Sequence, residues 1–65
     1  ESIGEGDRVL VHDDVLATGG TARAMCDLIE QLGGTVVQCN FLIELGFLKG
    51  RDKLNGYPLK SLIIY

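Results

Sequence analysis

This chain has 65 residues, a net charge of −3 and an apolar content of 46%, which are values typical of a small globular domain. The length limits it to one domain, and the acidic balance argues against nucleic acid as a partner, because that binding needs a basic patch. No apolar run approaches the roughly 18 residues that span a membrane, so no membrane partner is expected.

The two cysteines indicate the cellular compartment, and the first residues of the chain indicate that it is part of a longer domain. Cys26 and Cys39 show no zinc-ligand spacing, and two reduced, buried thiols are favoured over one disulfide, as in a cytoplasmic protein. The chain begins at Glu1 with an acidic, glycine-spaced lead up to Asp7. This lead is typical of the interior of a longer sequence. We therefore expect residues 1–65 to be the C-terminal portion of a single domain, without its N-terminal half.

The first predicted element is a strand over Arg8–Asp13, a nearly continuous Val/Leu run that suits a parallel strand covered on both faces. His12 interrupts this run, and we expect it to be a core histidine with one hydrogen bond. A helix is predicted next over Thr21–Leu32, with Thr18 or Thr21 as its cap and Gly33-Gly34 as its stop. The helix's apolar positions recur at helical spacing, at Ala22, Met25, Cys26, Ile29 and Leu32.

Alternation over Thr35–Leu45 predicts a second strand. Phe47–Leu54 is short and interrupted by glycine, so it predicts one or two helical turns, and Leu59–Tyr65 predicts a third strand. The apolar face of the second strand is expected to comprise Val37, Cys39, Phe41 and Ile43. The predicted fold class is α/β, a partial open parallel sheet in the order β-α-β-(short α)-β with a right-handed crossover.

The stretch from Val9 to Thr21 carries the strongest functional signal. The predicted strand stops at Asp13 and Asp14, and a turn of small residues then opens directly into the helix. The turn is formed by Ala17, Thr18, Gly19, Gly20 and Thr21. Unpaired N–H groups and the helix dipole favour an anion at such a turn, although the turn taken alone is more typical of a plain strand-to-helix connection.

The adjacent carboxylates favour a ligand. Asp14 could serve as a cap or turn residue, whereas Asp13 has less structural reason for its position. Ionised carboxylates only accept hydrogen bonds, so they match hydroxyl donors. A ligand that carries vicinal hydroxyls and a phosphate, such as a ribose 5-phosphate, fits both features.

Together these residues resemble the phosphoribosyl-diphosphate motif of type I phosphoribosyltransferases, which is a run of apolar residues, two acids and a small Gly/Thr loop. The variant Ala-Thr-Gly-Gly-Thr at 17–21 resembles the adenine phosphoribosyltransferase branch, as do residues 41–45 and 48–54. His12 departs from the apolar residue usual at its position. The resemblance covers nearly all of the chain.

The resemblance implies a purine-salvage glycosyltransferase that converts adenine and 5-phosphoribosyl 1-diphosphate into AMP and diphosphate. It implies that Asp13 and Asp14 contact the ribose 2′ and 3′ hydroxyls as catalytic residues, and that residues 17–21 cradle the 5-phosphate. It further implies Mg²⁺ bound through the substrate diphosphate, with no metal ligand from this chain, and a cytoplasmic homodimer. The adenine-selecting segment and the catalytic loop are absent here, so the 65 residues alone are expected to be inactive.

Other functions remain open. The same fold could sense phosphoribosyl diphosphate as a regulatory domain, or the segment could bind nothing by itself. A receiver-type signalling domain also places paired acids after a first strand, but it needs a further Asp at another strand end, where this sequence has Glu44. Lys49, Arg51 and Lys53 could form an anion patch, although alternation with Gly50 and Asp52 favours a solvated face.

Overall fold

The computed structural model describes residues 4–65, so Glu1 to Ile3 of the predicted lead lie outside the described residues. Within them lie three strands, one α-helix and two 3-10 helices. In chain order these are β1 (Arg8–Leu16), α1 (Gly20–Gln31), β2 (Thr35–Glu44), the 3-10 helices Gly46–Leu48 and Gly50–Leu54, and β3 (Leu59–Ile64). The strands pair in parallel in the order β1-β2-β3, which confirms the predicted α/β class and element order.

The first strand is longer than its sequence pattern indicated. β1 continues through both carboxylates to Leu16, with Asp13 in register with Phe41 and Leu16 in register with Glu44. The predicted end at the acids was therefore wrong. Asp13 and Asp14 are exposed, so the strand can carry them without burying charge, and the parallel pairing with β2 continues past them.

The strand order gives the position of β1 in the described sheet. β2 is the central strand of the described sheet and β1 lies at its edge. The core lies on the face that α1 covers, and alternation places Leu10 and His12 on the other face, where Leu10 is 54% exposed. His12 is exposed as well, so it is not the expected core histidine.

The register of β2 contains one irregularity. Val9 pairs with Val36 but Leu10 pairs with Gln38, so Val37 is an additional residue opposite β1. Such an insertion reverses the alternation on one side of it. Val36 is consequently buried, and Val37, which was predicted on the apolar face, is half-buried.

The helix matches its predicted bounds to within one residue at each end. Gly33 ends it with a φ of 89°, and the N–H of Gly34 donates to the Ile29 carbonyl at 3.0 Å. Cys26 and Ile29 face the core as expected. Met25 and Leu32, which share the predicted apolar face, are each 48% exposed.

The core is small and lies between α1 and one face of the sheet. Cys26 and Cys39 are both fully buried and free, with 3.7 Å between their sulfur atoms, which confirms the predicted reduced thiols. None of the helices in the described residues has the length and apolar character needed to cross a membrane. The buried apolar residues are Val11, Leu16, Cys26, Ile29, Val36, Cys39, Phe41 and Leu54.

Candidate functional site

The turn between β1 and α1 lies at the carboxyl end of the parallel sheet. A cavity of about 160 Å³ opens at this turn, lined by Asp13, residues 15–19, Thr21 and Ala22. In open α/β sheets, ligands bind outside the carboxyl ends of the strands. The cavity therefore lies where the topology of this fold favours a ligand.

The turn offers backbone donors that have no partner. Among residues 4–65, no main-chain hydrogen bond is donated by the N–H groups of Thr18, Gly19, Gly20 or Thr21. Gly19 is the N-cap of α1, with a φ of 87°, and no side chain caps the helix, so the predicted cap by a threonine was wrong. The first turn of α1 contains no acidic side chain. These free donors, together with the helix dipole, suit an anion with several oxygen atoms.

The structure separates the two predicted carboxylates. Asp13 lines the cavity, and its Oδ1 accepts the N–H of Asp14 at 2.8 Å. Asp14 is exposed and does not line the cavity. Among the predicted turn residues, Ala17, Thr18, Gly19 and Thr21 line the cavity, and Gly20 begins the helix beside it.

A second segment, which the motif did not indicate, packs against the turn. Gly50 is buried, and a β-carbon built on it would overlap the Ala17 carbonyl oxygen and lie 2.9 Å from the Gly19 nitrogen. A β-carbon on Gly19 would overlap the Gly50 carbonyl oxygen in the same way. The one signal in the sequence for this contact is a glycine within a charged segment, between Lys49 and Arg51.

The three basic residues of that segment have different surroundings. The Arg51 guanidinium forms a two-pronged ion pair with Glu44, with Nη2–Oε1 2.7 Å and Nε–Oε2 3.0 Å. Lys49 lies in the left-handed region with a φ of 55°, between the two 3-10 helices. Lys53 extends toward the start of α1, with its Nζ 3.9 Å from the position of a β-carbon built on Gly20. All three residues are exposed, which agrees with the predicted solvated face, and Arg51 additionally binds Glu44.

Glu44 is the buried polar residue of this region, with 4% of its surface exposed. Its Oε1 also accepts the Ser61 hydroxyl at 2.8 Å. The hydrogen bond from Arg51 is the main cause that lowers the pKa of Glu44, with a smaller contribution from Ser61, against the opposing effect of burial. Glu44 is consequently a fixed anion at the carboxyl end of β2.

Residues 4–65 contain no group of three or more His, Cys, Asp or Glu side chains placed to hold a metal ion. Asp13 and Asp14 are the carboxylates that precede the turn in the chain. One or two carboxylates are sufficient for Mg²⁺ where substrate phosphates supply further ligands.

Comparison with known proteins gives a consistent family. The family model described as a phosphoribosyl transferase domain matches residues 1–61. The adenine phosphoribosyltransferase of Flavobacterium johnsoniae is 62% identical over 65 residues, which are all of this chain and 38% of that protein. That of Rubrobacter xylanophilus is 65% identical over 66 residues, covering all of this chain and 36% of that protein. The chain thus spans less than two fifths of the curated relatives that it matches.

Solved structures agree in fold. A crystal structure of adenine phosphoribosyltransferase from Thermoanaerobacter pseudethanolicus matches with a TM-score of 0.97 and 52% identity, covering all of this chain and 38% of that one. The Trypanosoma brucei adenine phosphoribosyltransferase, solved in complex with AMP, pyrophosphate and ribose-5-phosphate, matches with a TM-score of 0.86 and 31% identity. That match covers 95% of this chain and 30% of that one.

Proposed function

Because this chain belongs to the phosphoribosyl transferase domain family, we propose that it forms the ribose-5-phosphate part of an adenine phosphoribosyltransferase. The reaction is the transfer of the phosphoribosyl group from 5-phosphoribosyl 1-diphosphate to adenine, which yields AMP and diphosphate. Relatives of that name are more than 60% identical to this chain, and solved enzymes of that name share its fold.

The observation that carries the proposal is the set of unpaired N–H groups around the cavity. The four donors of residues 18–21 lie at or beside the cavity, and Gly19 and Gly20 carry no side chain that would obstruct a ligand. A phosphate dianion matches them, because it accepts several hydrogen bonds and is favoured by the positive end of the α1 dipole. The hydroxyl groups of Thr18 and Thr21 are further hydrogen-bond donors at the two ends of residues 18–21.

Asp13 is proposed to bind the ribose hydroxyls from the adjoining side of the cavity. Its carboxylate accepts hydrogen bonds from hydroxyl groups and also favours positive charge on the sugar ring as the bond to diphosphate breaks. Asp14 is proposed to contact the second hydroxyl from the strand edge. Binding of the distant phosphate fixes the sugar while its anomeric carbon moves toward the base, so the cradle contributes to the rate as well as to affinity.

Other properties of the whole protein are proposed on the family relationship. Mg²⁺ would be bound through the substrate diphosphate, whose negative charge it would neutralise, rather than by a protein cage of its own. Selection of adenine, the catalytic loop, assembly as a homodimer and a cytoplasmic location also belong to this proposal.

An amide titration tests the cradle directly. AMP is added to the isotope-labelled protein, and adenosine serves as the control that lacks the phosphate. We expect the amide signals of Gly19, Gly20 and Thr21 to shift with AMP and not with adenosine. Equal responses to both ligands, or none at these amides, would overturn the assignment of the phosphate site. Turnover of adenine by the intact protein then separates the enzyme from a domain that merely senses phosphoribosyl diphosphate.

A further inference from the structure

We infer that the Glu44–Arg51 ion pair positions the phosphate-binding turn, acting on it through the backbone of Gly50. The inference rests on the proposed function of the turn and adds to it residues that do not contact the ligand. Glu44 and Arg51 are therefore positioning residues. Their contribution is to set the direction of the free N–H groups.

The ion pair joins two elements that are otherwise linked by a short loop. Glu44 is the last residue of β2, and Arg51 belongs to the second 3-10 helix, Gly50–Leu54. Both carboxylate oxygens are engaged, Oε2 by the Arg51 Nε at 3.0 Å and Oε1 by its Nη2 at 2.7 Å. The planar guanidinium paired through two parallel bonds fixes orientation as well as distance.

The carboxylate is itself anchored to the sheet. Glu44 is the register partner of Leu16 in β1, and the Ser61 hydroxyl of β3 donates to its Oε1 at 2.8 Å. The N–H of Leu45 donates to the Leu16 carbonyl at 2.9 Å, so the ends of β1 and β2 are joined on both sides of this position. Arg51 is thus attached to the point from which the turn departs.

The Arg51 guanidinium acts on the turn through the preceding residue, Gly50, because a fixed Arg51 also fixes the backbone next to it. Gly50 lies against the Ala17 carbonyl and the Gly19 nitrogen without space for a β-carbon. Leu54, with 1% of its surface exposed, anchors the other end of the 3-10 helix in the core. With both ends attached, Gly50 limits how far the backbone of residues 17–19 can move. Loss of the ion pair frees the first end of the helix and lets the turn relax.

Variants of the intact protein that carries this segment test the inference. Glu44→Gln preserves shape and removes the charge, and Arg51→Met removes the guanidinium from a side chain that is 50% exposed. The matched control is Arg8→Met, which removes an exposed guanidinium from the first residue of β1, at the end of the strand opposite the turn. The measurements are the affinities for AMP and adenosine, and the amide shifts of Gly19 and Gly50 in the ligand-free protein.

We expect both variants to move these amide signals and to weaken AMP roughly ten- to hundredfold, because a displacement of about 1 Å in a positioning contact has effects of this size. The affinity of both variants for adenosine stays at the wild-type level, and the control variant keeps the wild-type affinity for AMP. Arg51→Lys retains part of the AMP affinity that Arg51→Met loses. A folded Arg51→Met protein with unchanged amide signals and AMP affinity overturns the inference, even if Glu44→Gln fails to fold. If wild-type AMP and adenosine affinities are equal, the proposed function fails instead, and the ligand-free amide shifts still decide the positioning role.

Discussion

The backbones of Gly19 and Gly50 lie against each other so closely that neither residue could carry a side chain without displacing the other. Gly19 is the N-cap of α1 and Gly50 begins the second 3-10 helix. The contact joins the connection that follows β1 to the connection that follows β2. It fixes the spacing between the turn that lines the candidate phosphate site and the 3-10 helix that packs against this turn.

Gly19→Ala is expected to lower the free energy of unfolding by more than about 2 kcal/mol, because a positive φ and a steric overlap act together. Gly56→Ala is the matched control, since Gly56 has a φ of 98° and nothing within 4 Å of a built β-carbon. The control should cost about 1 kcal/mol from backbone strain alone. Urea denaturation measures both variants. Equal losses would show that the contact with Gly50 contributes nothing.

Gly50→Ala isolates the overlap from the strain, because Gly50 has no positive φ. We expect it to weaken AMP binding at least as strongly as it lowers stability, since the β-carbon displaces the Ala17 carbonyl and the Gly19 nitrogen. Isothermal titration with AMP, and with adenosine for comparison, measures the effect. Unchanged AMP affinity would indicate that the turn tolerates movement at this point.

Asp13→Asn and Asp14→Asn are expected to differ in effect. Asp13 lines the cavity and Asp14 does not, so Asp13→Asn should lower kcat/KM for phosphoribosyl diphosphate more. A hydrogen bond to a charged group contributes about 1.5–3 kcal/mol, which corresponds to roughly a ten- to hundredfold loss. Steady-state kinetics of the intact protein measures this difference. If Asp14→Asn has the larger effect, the assignment of Asp13 to the ribose is wrong.

The Glu44–Arg51 pair predicts an acid-dependent stability. The hydrogen bond from Arg51 lowers the pKa of folded Glu44 below its ordinary value of 4.5. A lowered folded pKa stabilises the protein above the unfolded pKa, and this contribution is lost as the pH falls through the folded pKa. Wild type should therefore lose its advantage over Glu44→Gln as the pH drops below 4.5. A difference in unfolding free energy that stays constant across this range would contradict the prediction.

The buried thiols are expected to be unreactive in the folded protein. Burial, together with the neighbouring Cys39, raises the pKa of Cys26 to about 12, and burial raises the pKa of Cys39 as well. The reactive thiolate is consequently scarce at neutral pH. Mass spectrometry after iodoacetamide treatment should show modification in urea and little without it. Rapid alkylation of the native protein would mean that α1 opens readily from the sheet.

The sequence pattern predicted an element well where residues close together in the chain determine its structure. The helix follows from its own apolar spacing, and Gly33 ends it through a backbone conformation that the sequence announces. A turn after β1 was also predictable, because a run of small residues, 17–21, separates the strand from the helix. The structure ends this turn at Gly19, since α1 begins at Gly20. These features depend on residues within one or two turns of each other.

Other features depend on partners far along the chain. The additional residue at Val37 reverses the alternation of β2 through its pairing with β1, which no strand pattern contains. His12 is exposed because it lies on the face of β1 opposite the one that α1 covers. The pairing of Glu44 with Arg51 depends on the fold, which places the second 3-10 helix beside the end of β2.

The closeness of Gly50 to the turn has a consequence for any short copy of the motif. A peptide spanning Val9 to Thr21 would carry every residue that signals phosphate binding, yet it would lack the surface against which the turn rests. Its N–H groups would sample many directions, and most of the binding free energy would be spent on ordering them. The turn therefore binds the anion only when it rests against the segment that follows β2. We expect a change that destabilises the fold also to lower the affinity for the ligand.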